Sequence, residues 1–249
     1  MKTILTLIIL LFSHATVAQK VNLLVVGDSQ VGATWGKTYF GNFLQECLGP
    51  NFIIFGKGAS VPGHWLNGGL EKIEIIQRDP EHKHLNIGAG EIVPLFKKRL
   101  DPMIDHFQPN KILLSFGGNY TANTDEKIIN EIEAVMKLFS EKGISSADCY
   151  FFTPTYEMEV ATRRNVELRD LKNVLRITAA IETAINDRCQ IIKGVDLMKS
   201  SPYFNESTKL IKREPLAQST DCSGPASNDN VHVCGKAAQD MARKVCDLI

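Results

Sequence analysis

Five short runs of β-branched and aromatic residues, separated by helix-forming stretches, constrain the fold of this chain more than any other feature. Val21 to Val26, Phe52 to Phe55, Lys111 to Phe116, Cys149 to Thr153 and Ile191 to Val195 each end near Gly, Pro or Ser, as buried strands do. Between them Ile128 to Phe139 sets Ile128, Ile129, Ile132, Val135, Met136 and Phe139 on one helical face, and Lys142-Gly143 follows as a C-terminal signal. Asn165 to Ile185 carries a similar stripe in Leu168, Leu171, Leu175, Ile181 and Ile185, and Gly235 to Ile249 reads as a closing helix. Strands alternating with helices require a parallel sheet covered on both faces, so the expected class is α/β with five central, mostly parallel strands. Two stretches break the rhythm. Val61 to Gly90, with one candidate strand at Lys72 to Gln77, reads as an excursion from the sheet, and the polar Asn205 to Asn230 reads as a second long loop. Loops of this length inside a domain are more often functional than idle, and in an open parallel sheet the site forms beyond the carboxyl ends of the strands.

The N-terminus bounds the compartment. Met1-Lys2 is a positive start, Ile4 to Phe12 is apolar, and Ala15 to Ala18 supplies the small residues a signal peptidase cuts after. Residues 1–18 are therefore expected to be a signal peptide and residues 19–249 a single domain, secreted or periplasmic. Nine apolar residues are too few to span a bilayer, which needs ~20, and no later segment comes close. Lys+Arg and Asp+Glu are both 28, so no basic field collects phosphates and nucleic acid is not an expected partner. Six cysteines in an exported chain favour disulfides, and the absence of a CxxC pair leaves a thiolate zinc site without support. His82-x-His84, beside Glu81 and Lys83, reads as a solvated loop rather than a metal site; no cofactor or metal is expected.

The strand Val21 to Val26 runs into Gly27-Asp28-Ser29. Asp and Ser are good helix N-caps, and on that pair alone capping is the better explanation. The rest of the chain supplies what a hydrolytic serine needs: a base, a carboxylate to orient it, and donors for an oxyanion. Asp229-Asn230-Val231-His232 lies just before the last helix, at a spacing that lets the carboxylate fold back onto the imidazole. Ser115-Phe116-Gly117-Gly118-Asn119 closes the third strand and presents an asparagine amide, and Gly56-Lys57-Gly58-Ala59-Ser60 follows the second strand with backbone N–H groups aimed at the same crevice. Each piece alone is an ordinary turn; four in this order are not.

On Gly27-Asp28-Ser29, Gly58, Gly117-Gly118-Asn119 and Asp229-x-x-His232 the chain resembles the SGNH hydrolases, the GDSL esterase and lipase superfamily. The resemblance implies a flavodoxin-like three-layer α/β/α fold and a metal-independent ester hydrolase. Ser29 would be the nucleophile, His232 the base and Asp229 its partner. The oxyanion hole would be the N–H of Ser29, an N–H near Gly58 and the Asn119 side chain. Three departures stand out. Gln30 replaces the leucine that often follows GDS, Tyr120 replaces the aspartate that commonly follows the asparagine, and the second motif can be registered so that Ala59 takes the place of Gly58. A G-x-S-x-G elbow is absent, against the α/β-hydrolase alternative.

The expected substrate is an acylated small molecule or polysaccharide, with acetyl esters of cell-wall or extracellular polysaccharide favoured because Trp35, His64 and Trp65 follow the serine and second motifs, where aromatic faces stack on sugars. A lipid esterase or lysophospholipase, an acyltransferase on the same triad, and a non-catalytic glycan-binding protein are the alternatives. Asn119-Tyr120-Thr121 is a glycosylation sequon on the very amide assigned to the oxyanion hole, which favours a bacterial origin. Cys222 and Cys234 bracket Asp229 and His232 in a loop with almost nothing apolar to hold it, so a bridge between them is expected to order that loop; pairing of Cys222 with Cys189 or Cys246 is the alternative.

Overall fold

The computed structural model describes residues 20–32, 39–49, 51–68, 74–79, 82–87, 99–158, 171–212 and 232–249. The elements run β1 (Leu23–Gly27), α1 (Phe40–Cys47), β2 (Phe52–Gly56), α2 (Pro62–Asn67), β3 (Glu74–Asp79), β4 (His82–Ile87), α3 (Leu100–Phe107), β5 (Lys111–Ser115), α4 (Asp125–Glu141), β6 (Cys149–Phe152), α5 (Leu171–Ile185), β7 (Gln190–Ile192), α6 (Gly194–Lys199), β8 (Phe204–Asn205), β9 (Leu210–Ile211) and α7 (Gly235–Cys246). The five expected strands all form, and they pair in parallel in the order β2-β1-β5-β6-β7. Consecutive residues of these strands face opposite sides and both sides are dry. Leu24, Val26, Ile112 and Leu114 join the core under α2, α3, α4 and α5, while Leu23, Val25, Leu113 and Phe152 join the core under α1, α6 and α7. That is the three-layer α/β/α architecture. Its parallel order reverses between β1 and β5, the position where such sheets open a crevice.

Three expectations are corrected. The segment after α2 does not leave the sheet. Its strand β3 pairs antiparallel with β2 and β4 pairs with β3, Asp79 opposite His82, so a hairpin extends the sheet to seven strands. His82 and His84 accordingly lie in strand β4 and not in a loop. The polar stretch from Asn205 begins with a small hairpin, β8 against β9, before residue 213 takes the chain outside the described residues. On α5 the buried stripe is Val174, Ile177, Ala180, Ile181, Ala184 and Ile185, and Leu175 is 48% exposed, because a helix lying over a sheet edge turns one face outward. Leu168, like the signal segment 1–18, lies outside the described residues.

Two disulfides are described. Cys47–Cys246 joins the last residue of α1 to the last residue of α7, with Cα atoms 6.1 Å apart, and Cys149–Cys189 joins the start of β6 to the residue before β7. Both therefore occupy the cysteines weighed as alternative partners for Cys222, which itself lies outside the described residues.

Candidate active site

The turn after β1 is held by its aspartate. Asp28 donates its N–H to Ser115 O (3.1 Å), and its Oδ1 accepts from the N–H of Gln30 (2.9 Å). This Asx turn satisfies the loop without using Ser29, whose side chain is buried at 6% exposure and is left for other work. No helix takes Ser29 as its N-cap: the next described helix, α1, begins at Phe40.

Asn119 arrives from β5. Gly117 sits at φ 127°, a region open to glycine, and a Cβ there would overlap the Pro154 ring, so the loop turns sharply against the second residue after β6. The Asn119 amide then donates to Ser60 O (3.0 Å) and reaches Asp28 Oδ2 (3.4 Å). One side chain thus ties together the three motif loops that follow β1, β2 and β5. The loop after β2 is a tight turn closed by Ser60 N–H to Lys57 O (3.2 Å), with Lys57 N–H on Gly27 O (3.1 Å). Ala59 occupies its left-handed position at φ 58°, a conformation that costs an alanine roughly 1–2 kcal/mol and that accumulates at functional loops.

Trp65 does not serve as a sugar platform. It is fully buried, donates from Nε1 to Ser60 Oγ (3.1 Å), and packs edge-on to Phe116. Since Ser60 Oγ in turn donates to Lys57 O (2.8 Å), the tryptophan braces the second motif from below. Trp35 lies outside the described residues, and so does Asp229.

Tyr120, the departure from the family pattern, replaces the missing turn contact with a longer one. Its buried hydroxyl donates to Glu131 Oε2 on α4 (2.7 Å), and the same oxygen accepts the N–H of Gly63 at the start of α2 (3.1 Å). Burial first, then the hydrogen bond and charge of Glu131, push the Tyr120 phenol far above its ordinary range, so it is a permanent donor. Glu131 was invisible to motif reading because it lies twelve residues past Asn119, on what reads as a plain amphipathic helix.

His232 is buried at 7% exposure, just ahead of α7, and its ring meets Tyr39 edge to face. Among the described residues no hydrogen bond joins Ser29 to His232; such contacts are often loose before substrate binds. Beside the turn, Phe116, Phe152, Pro154, Val174, Ile177 and Met241, with Asp28 and Gln30 on either side of Ser29 in sequence, enclose an apolar cavity of about 40 Å³. That holds about three water-sized groups.

No family model matches the chain, and no curated protein matches it. Solved structures do. A protein of Slackia heliotrinireducens assigned as an SGNH hydrolase superposes with a TM-score of 0.57 at 11% identity, over 92% of this chain and 98% of the other. A GDSL-like lipase from Bacteroides thetaiotaomicron gives 0.52 at 14% identity over 91% and 86%, and the native aryl esterase of M. smegmatis gives 0.51 at 11% over 92% and 97%. At these identities the likeness is one of fold.

Proposed function

The chain has the SGNH-hydrolase fold, and on that fold we propose that it is an exported serine esterase that hydrolyses short acyl esters. Ser29 attacks the ester carbonyl while His232, oriented by Asp229, takes its proton. The oxyanion is held by the Ser29 N–H, the Asn119 amide and an N–H of the Gly58-Ala59 turn. The C–O bond to the alcohol then breaks, His232 returns the proton to the leaving oxygen, and water repeats the sequence on the acyl-enzyme. The observation that carries this reading is the Asn119 amide, set within 3.4 Å of both the residue before Ser29 and the second motif. The same two contacts would also suit an asparagine that only ties the loops together, and the turnover of Asn119→Ala separates the two roles.

The apolar cavity of about 40 Å³ that Asp28 and Gln30, the neighbours of Ser29, help to line is the ground for expecting short acyl chains, acetyl to butyryl. With Trp65 buried, the exposed His64, which follows the second motif, is the described aromatic side chain left to meet a carbohydrate alcohol. The test is turnover of p-nitrophenyl acetate, butyrate and octanoate by the wild type, Ser29→Ala and His232→Ala. The reading expects activity on the short esters, little on octanoate, and none from either folded variant; wild-type turnover by Ser29→Ala would end it. Acetylated polysaccharide then separates a carbohydrate substrate from a lipid one. Export is checked by N-terminal sequencing of the protein from its native source, which should begin at Gln19.

A further inference from the structure

We infer that Tyr39 is a positioning residue whose ring fixes the orientation of the His232 imidazole; the inference rests on the serine-esterase reading above. Tyr39 is 1% exposed, and the two buried rings meet with centroids 6.3 Å apart and planes 85° from parallel. An orienting carboxylate constrains an imidazole along one axis and leaves it free to rock about that axis. A second ring standing perpendicular to it removes the remaining freedom.

The backbone makes this contact more than a chance of core packing. Tyr39 forms an isolated antiparallel bridge with Cys234, two residues beyond His232, so the start of α1 is paired with the segment that carries the histidine into α7. Two residues further on, Gly41 donates its N–H to Gln30 O (3.2 Å), the residue after Ser29. The approach there is so close that a Cβ on Gly41 would overlap the Val31 carbonyl. The first turn of α1 therefore touches the nucleophile's turn and the histidine's segment at once, with Tyr39 on one side and Gly41 on the other. At their far ends α1 and α7 are joined by Cys47–Cys246, so the helix that presents Tyr39 and the helix that follows His232 are fixed relative to each other at both ends. Tyr39 carries no local motif, and only this juxtaposition marks it.

The experiment compares the wild type, Tyr39→Phe, Tyr39→Leu, Tyr39→Met and Ser29→Ala on p-nitrophenyl acetate, with melting temperatures and with inactivation by a serine-directed organophosphate. Removing the ring should lower kcat roughly 10- to 100-fold, the effect of misplacing a catalytic group by a fraction of an ångström to an ångström, with KM unchanged within about twofold. Organophosphate inactivation should slow in parallel, because it also needs the base aligned on Ser29. Tyr39→Phe should rescue kcat to within about threefold. Tyr39→Met fills the site without a ring and serves where Tyr39→Leu does not fold. A Met variant as fast as the wild type, or a Phe variant as slow as Met, overturns the inference while Ser29→Ala remains dead; turnover surviving in Ser29→Ala overturns the esterase reading and this inference with it.

Discussion

Asn119 and Tyr120 are neighbours with separable duties. Asn119→Ala should reduce kcat by ~10²–10³, the usual cost of one oxyanion donor, with little change in melting temperature, since the amide's two contacts are half-exposed. Tyr120→Phe should do the reverse. It removes a buried hydrogen bond to a carboxylate, worth about 1.5–3 kcal/mol, and loosens the link between the Asn119 loop, α2 and α4. The pH dependence has a definite sign. In the folded chain the phenol stays protonated far above the value near 10 at which the unfolded chain loses its proton, so the folded state holds the extra proton above pH 10 and stability falls as pH rises. The stability gap between wild type and Tyr120→Phe, measured by urea unfolding, should therefore be full at pH 8 and shrink above pH 10. Asn119 also lies in a sequon, and intact mass of the native protein should find it unmodified. Ser29, Asn119 and His232 could be singled out in the sequence because each stands at an element end, where short motifs live; the Tyr120–Glu131 and Tyr39–His232 contacts could not, because they come from packing between elements distant in sequence.

Strands were legible for a similar reason: a strand buried on both faces is a continuous apolar run, and all five parallel strands lie within three residues of where such runs predict them, the largest gap being at β7, where Gly194 and Val195 start α6. The long helix α4 was equally plain, with Gly143 at φ 71° beyond it as the stop signal, although its start, capped by Thr124, lies three residues before the apolar stripe. Helices α1, α2 and α6, of six to eight residues, show too few turns for a 3.6-residue period to emerge, and β4 is polar enough to read as loop, whereas β3 overlaps the candidate strand Lys72 to Gln77. Among these elements, α1 and α7 carry a measurable consequence. Cys47→Ser with Cys246→Ser should lower stability by about 2–5 kcal/mol, since the bridge closes a loop of 199 residues in the unfolded chain. A Cys222–Cys234 bridge, which we retain as a proposal, would act differently. Its ring is short, worth ~3 kcal/mol, and it encloses His232, so its loss should lower turnover more than melting temperature. A non-reducing peptide map tests the pairing directly.

Both cores, the five parallel strands between them and the crevice at their reversal point follow from one pattern of alternation, and no described helix is long and apolar enough to cross a membrane. The closure of Cys47 onto Cys246 changes what the molecule is as a covalent object. Most of the chain lies inside one ring; β1, Ser29 and most of α1 precede it, and three residues follow it. A protease that cuts the backbone once, anywhere between those two cysteines, opens the ring without dividing the chain. Such a nicked enzyme should migrate as a single band on a non-reducing gel and separate into two only after reduction. A first cut would leave both halves tethered, and Ser29 and His232, which enter from opposite ends of the sequence, would stay on one molecule.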